Sequence, residues 1–232
     1  MSVAGSSSGG RERIVLKIGG RVAAEAAAEA LRLRVEGFEV VVVHGAGPQI
    51  SAEMARRGLR VEFVDGRRVT TPEGLEVVRE SLVEVNGEIC AAIGPAAVGL
   101  VGDEIGLPAR RVARLGLVGD PLPSAPPAVL SALAADRIPV VAPLAVGPLN
   151  VNADEAAASL AVGLRAARIS FVTDVPGVLV DGGVVSALPA DDADRMLDGG
   201  AFDGGIVPKL VAAVRAARHG VRATIGVTEV LA

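Results

Sequence analysis

Short runs of β-branched residues alternate with longer Ala-, Leu- and Arg-rich stretches of helical period, and this alternation leaves few folds open. Continuous apolar runs such as VVVV are buried on both faces, which is the habit of a parallel strand covered by helices on either side. The pattern predicts strands over residues 14–18, 40–44, 97–101, 140–142, 169–173 and 223–227. Helices are predicted over 23–36, 49–57, 72–93, 128–136, 155–165 and 209–220. The fold class is therefore α/β with a mainly parallel central sheet. The segment VLVDGGVVSAL reads as a β-hairpin turning at Asp181-Gly182-Gly183. The proline-rich stretch 108–127 reads as surface loop or hairpin, and a lobe boundary is expected near residue 163.

Composition narrows the partners. Half of the 232 residues are apolar and 22% are charged, enough for a packed core and against disorder. A net charge of −4, no Trp or Tyr and only four Phe argue against nucleic acid, which needs cationic surface and stacking platforms. Uncharged stretches are too short and too rich in proline for a membrane span. The single cysteine, Cys90, forbids an intrachain disulfide and suits a reducing cytoplasm. Residues 1–13 read as a disordered leader without the features of a signal peptide.

Two lysines stand out at strand–loop and loop–helix junctions. Lys17 ends the run IVLKI and is followed by Gly19 and Gly20; Lys209 lies in DGGIVPK, ahead of the last helical pattern. Two ammonium groups converging beside backbone N–H donors suit a transferring phosphoryl group, whose transition state spreads negative charge over several oxygens. Taken singly, each is as readily a surface lysine at a turn. His44-Gly45-Ala46-Gly47 follows the second strand, but Ile50 stands where a dinucleotide fingerprint needs its third glycine. His44 reads first as a packed histidine. The Arg67-Arg68 pair suits capture of a carboxylate, although a solvated basic turn is the plainer reading. In Asn150-Val151-Asn152-Ala153-Asp154, helix capping accounts for either Asn152 or Asp154. Thr173-Asp174-Val175-Pro176-Gly177 is turn chemistry by itself. Two histidines and one cysteine supply no metal-ligand cluster, and no Walker A sequence occurs.

Taken in order, VLKIGG, VVVHGAGPQI, FVDGRRVT, AVGLVG, NVNADEAA, TDVPGVL and GGIVPK resemble the amino-acid kinase family, in its N-acetylglutamate kinase branch. The resemblance implies a three-layer αβα sandwich. It assigns residues 14–163 to a lobe for acyl amino acid binding and dimerisation, and 164–232 to an ATP lobe. It implies transfer of the γ-phosphoryl group of ATP to the γ-carboxylate of N-acetyl-L-glutamate, with Mg2+ held mainly by the nucleotide phosphates. By match to the family motifs, Lys17 and Lys209 stabilise the transferring group and Asp154 orients them. Gly20, Ala46, Gly47, Arg68 and Asn150 fall on the substrate side. Asp174, Val175, Pro176, Gly177, Val178, Leu179 and Gly205 fall on the nucleotide side. A carboxylate is already a nucleophile at neutral pH, so no general base is required.

The chain departs from the family pattern at four points. Ala46 replaces a glycine and would be strained by about 1–2 kcal/mol if it needed a positive φ. Glu84 and Val85 stand where a Gly-Lys pair is common. The closing VTEVLA lacks the usual final Gly-Thr strand, which puts the last sheet edge in question. The leader does not resemble the extra helix of arginine-inhibited hexamers, so a homodimer insensitive to arginine is expected. Rival readings are a carrier-linked aminoadipate or glutamate kinase of lysine biosynthesis and a catalytically impaired binding protein of the same fold.

Overall fold

The computed structural model describes residues 11–19, 23–173 and 175–232. Strands β1 (Arg13–Ile18) and β2 (Glu39–His44) flank helix α1 (Ala23–Val35), followed by α2 (Gly47–Arg56). A small hairpin of β3 (Phe63–Val64) and β4 (Arg67–Arg68) precedes the long α3 (Pro72–Ile93) and β5 (Ala97–Val101). Then come β6 (Ala109–Arg111), β7 (Val118–Pro121), α4 (Pro127–Ala134), β8 (Ile138–Ala142), β9 (Leu144–Ala145) and β10 (Leu149–Val151). The rest is α5 (Ala153–Gly163), β11 (Arg168–Val172), β12 (Leu179–Val180), β13 (Gly183–Val184), β14 (Ala187–Pro189), α6 (Ala190–Asp198), α7 (Ile206–Arg218), β15 (Arg222–Ile225) and β16 (Thr228–Leu231).

Eight strands form one sheet in the order β14-β16-β15-β11-β1-β2-β8-β5, parallel except for the β15–β16 pair. The two-residue period of a strand sends neighbouring side chains to opposite faces. Ile14, Leu16, Ile18, Val40 and Val42 join the core under α1, α2 and α3. Val15, Val41, Val43, Ile169 and Phe171 join the other core, under α4, α5, α6 and α7. Two cores separated by one sheet make the three-layer αβα architecture that the resemblance implies.

Within the stretch 108–127 the hairpin alternative holds, and it extends into a second sheet. Antiparallel β6 and β7 form a hairpin, and β7 pairs in parallel with β10 in a second sheet of order β6-β7-β10-β9. Asp181 and Gly182 both take positive φ, 50° and 80°, as a two-residue hairpin turn requires, so the β12–β13 hairpin forms where predicted. The last sheet edge, in question from the sequence, is closed by a tight β15–β16 hairpin, with β14 paired outside β16. Its turn is possible because Gly226 has φ +56°, and a Cβ there would lie 2.3 Å from the Pro176 carbonyl oxygen.

Candidate active site

Lys17 is on the central strand β1, in phase with Val15, so its side chain emerges on the α5 face. Its Nζ lies 2.9 Å from Oδ1 of Asp154, in the first turn of α5. Lys209, in the first turn of α7, brings its Nζ to 3.8 Å from the same Oδ1 and donates to the Gly205 carbonyl at 3.2 Å. Lys17 and Asp154 are each 5% exposed, so this ion pair is shielded from solvent. Two ammonium groups from opposite ends of the chain therefore meet on one carboxylate oxygen. Two positive charges against one negative leave a formal charge of +1, the right sign for an anionic ligand.

Helix capping and charge pairing divide the Asn152–Asp154 motif between them. The Asn152 side chain caps α5, its Oδ1 accepting from the Asp154 and Glu155 N–H groups at 2.8 and 3.2 Å. Asp154 is thereby released to hold the lysines. Lys209 is placed by a helix that starts three residues earlier than predicted. Gly-Ile-Val-Pro reads as loop, yet Pro208 is tolerated in the first turn, where its missing N–H would have no helical partner.

Two cavities adjoin this junction. The smaller, about 180 Å³, includes Lys17, Ala46, Gly47, Arg68, Asn150 and Asp154 in its walls. The larger, about 540 Å³, includes Val175, Gly177, Leu179, Gly205 and Lys209. Of the sequence-predicted residues, Gly20 and Asp174 lie outside the described residues. Pro176 is exposed, its carbonyl accepting from the Val227 N–H at 2.8 Å, and Val178 is buried beneath the loop as part of the core.

Arg68 has the most unusual surroundings. It is 6% exposed, and its guanidinium donates to the Ser51 hydroxyl at 2.8 Å and the Gly47 carbonyl at 3.2 Å. It also stacks 4.5 Å above the centre of the Phe63 ring. These partners are uncharged, and burial pushes the guanidinium pKa below its ordinary value. A buried cation among neutral partners at a cavity wall favours an incoming carboxylate, which can take two parallel N–H bonds. Asn150 donates to the Thr70 hydroxyl at 3.0 Å from the facing strand.

The plainer reading of Arg67-Arg68 as a solvated turn is overturned, because the two side chains leave the hairpin on opposite faces and both are largely buried. Arg67 pairs with Glu155 at 2.9 Å and Asp120 at 3.2 Å. Burial raises the Glu155 pKa, with Arg67 opposing that shift. The glycine loop carries no left-handed strain: Ala46 has φ −139°, and its methyl packs in the inner core. His44 is a packed histidine, as expected. Asn86 donates to its Nε2 at 3.1 Å, and burial lowers its pKa to about 4. It is neutral at pH 7.

Sequence reasoning missed Phe63, Thr70, Ser51 and Asp120 as parts of this arrangement. Phe63 and Thr70 lie within FVDGRRVT, where the Asp65-Gly66 turn, which sets Phe63 across from Arg68, was a usable signal. Nothing local marks Ser51 or Asp120.

A sequence model of the amino acid kinase family matches residues 12–226. The chain is similar to the acetylglutamate kinase of Leifsonia xyli subsp. xyli, 41% identical over 90% of this chain and 78% of that protein. It is similar also to the acetylglutamate kinase of Salinispora tropica, 43% identical over 90% of this chain and 80% of that protein. Among solved structures, smu.665 from Streptococcus mutans UA159 superposes with a TM-score of 0.86 at 26% identity, covering 94% of this chain and 98% of that one. The carbamate kinase of Giardia lamblia shares the fold at a TM-score of 0.71 and 14% identity, covering 96% and 99%. With the match spanning both cavities and all three residues of the lysine–aspartate junction, the chain belongs to the amino acid kinase family.

Proposed function

We propose that this chain transfers the γ-phosphoryl group of ATP to the γ-carboxylate of N-acetyl-L-glutamate, giving N-acetyl-L-glutamyl 5-phosphate and ADP in arginine biosynthesis. Relatives 41–43% identical over 82–90% of this chain are acetylglutamate kinases. The observation that carries the mechanism is the sharing of one Asp154 oxygen by Lys17 and Lys209 between two cavities.

In this reading the smaller cavity takes the acyl amino acid. Arg68 receives its α-carboxylate, Asn150 orients it from the facing strand, and the backbone at Ala46 and Gly47 faces the other end. The larger cavity takes the nucleotide against residues 175–179 and Gly205. The acceptor carboxylate and the γ-phosphate are both anions, so their approach is opposed by charge repulsion. Lys17 and Lys209 offset that repulsion and stabilise the charge on the transferring group, while Asp154 holds both ammonium groups at one point. The oxygen–phosphorus bond to the acceptor forms as the bond to the ADP β-oxygen breaks. No proton need move, which agrees with a neutral, packed His44 as the nearest histidine.

Among the described residues no cluster of three or more His, Cys, Asp or Glu could hold a metal ion. Magnesium in this reading is carried by the nucleotide phosphates and water, with Asp203 a carboxylate in the wall of the larger cavity. When bound it supplies further charge neutralisation at the phosphates. We read residues 14–163 and 164–232 as the amino acid and nucleotide lobes of a cytoplasmic homodimer insensitive to arginine. Among the described residues no helix is long and apolar enough to cross a membrane.

The test is release of ADP that depends on free N-acetyl-L-glutamate, with the acyl phosphate trapped by hydroxylamine. Turnover only with a carrier-linked aminoadipate or glutamate would replace the substrate. Binding of both ligands without turnover would reduce the chain to a binding protein.

A further inference from the structure

A second carboxylate is shared across the two sides of this site. Asp120 on β7 presents Oδ1 to Arg67 Nη2 at 3.2 Å and to Arg215 Nη1 at 3.4 Å. Arg67 adjoins Arg68 in the hairpin of the smaller cavity, whereas Arg215 lies on α7, the helix that carries Lys209. Arg67 also pairs with Glu155, the neighbour of Asp154, and Arg215 donates to the Pro121 carbonyl at 3.0 Å. Arg67, Glu155 and Arg215 therefore each adjoin, or share an element with, a residue of the site, and Asp120 joins Arg67 to Arg215.

The hairpin turn makes the same connection. The Gly66 carbonyl accepts from Asn152 Nδ2 at 3.2 Å, and a Cβ at Gly66 would lie 3.5 Å from Pro208, the residue before Lys209. Arginine forks are directional, and with Arg67, Asp120 and Glu155 each less than one-fifth exposed, water competes weakly with their ion pairs. A shift of the hairpin on closing around a ligand would be transmitted to α7 through Asp120 and Pro208.

We propose that Asp120, with Arg67, Glu155 and Arg215, forms a positioning network that couples occupancy of the smaller cavity to placement of Lys209. The inference rests on the kinase reading above, and it makes nucleotide and acyl amino acid bind synergistically. None of its four members belongs to the lysine–aspartate junction.

The experiment is calorimetric titration of the whole chain with a non-hydrolysable ATP analogue, with and without saturating N-acetyl-L-glutamate, alongside steady-state kinetics. In the wild type the amino acid should tighten analogue binding by a factor of about 5–150, the usual range for coupled sites. Asp120→Asn keeps the side-chain shape and removes the charge. It should bring that factor close to one and raise the KM for N-acetyl-L-glutamate, with analogue affinity in the absence of amino acid nearly unchanged. Arg215→Gln, at the more exposed end of the network, should do the same and serves if Asp120→Asn folds poorly. The double variant should then be no worse than either single one. Full synergy in folded variants, even with a lowered Tm, would overturn the inference, as would a wild type that turns over without synergy. A wild type inert toward N-acetyl-L-glutamate would instead overturn the kinase reading, and this inference with it.

Discussion

The two cavities differ in how they are held. The smaller is walled by buried charged and amide side chains, each fixed by a named partner: Lys17 by Asp154, Arg68 by Ser51 and Gly47, Asn150 by Thr70. The larger is walled mainly by backbone and exposed apolar groups, with Gly200, Gly204 and Gly205 on one side and Val175 and Leu179 on the other. Its loop is held from behind by the last hairpin, through the Thr228 hydroxyl accepting from the Val178 N–H at 2.8 Å and the Val227 N–H donating to Pro176. Side-chain charge organises one cavity and backbone packing the other. Single side-chain truncations should therefore be costly on one side, and added methyl groups costly on the other.

The largest effect should come from the shared junction. Lys209→Ala should lower kcat by about two to three orders of magnitude with modest change in nucleotide affinity, because its charge is used most in the transition state. Stopped-flow or single-turnover kinetics check this; equal losses in kcat and affinity would make Lys209 a ground-state anchor. Next is Arg68→Ala, expected to raise the KM for N-acetyl-L-glutamate about 10- to 100-fold through loss of a charge-assisted carboxylate bond. An unchanged KM would remove Arg68 from that cavity.

On the backbone-held side, Gly226→Ala tests the opposite prediction. Positive φ and a Cβ 2.3 Å from the Pro176 carbonyl oxygen should destabilise the fold by roughly 2–3 kcal/mol and weaken nucleotide binding first. Denaturant titration and nucleotide KM together read this, and a silent substitution would refute the packing account. The last effect is one of pH. Burial lowers the His44 pKa from 6.5 to about 4, so between those values the unfolded chain binds more protons than the folded one. Stability should fall as pH drops through that window, by at most about 3 kcal/mol at its acid end. Thermal melts of wild type and His44→Gln from pH 7 to 4.5 measure it; identical acid slopes would show that His44 does not contribute.

How much of this was legible depends on the scale of the feature. The helix over Pro72–Ile93 and the strand over Ala97–Val101 form with the predicted ends, because a long apolar period and a Pro start signal leave little choice. Helices α2, α5 and α7 start two or three residues early, because glycine and proline serve as well inside a first turn as in a loop and Asn152 caps α5 from just outside it. The second sheet was not legible, since its strands of two to four residues are too short for a period and gain stability only by mutual pairing. The lysine–aspartate meeting was read from motif order, yet its geometry depends on β1 lying between β2 and β11, which is a property of the sheet.

That central placement has a consequence for how the gene can change. Lys17 reaches Asp154 because it is an odd-numbered step along β1, while even-numbered steps face the α1–α3 core. Inserting or deleting one residue within β1 would turn the ammonium into hydrocarbon and a leucine or isoleucine toward the carboxylate. Evolution can lengthen the loops around this strand freely, but it can alter the strand itself only two residues at a time.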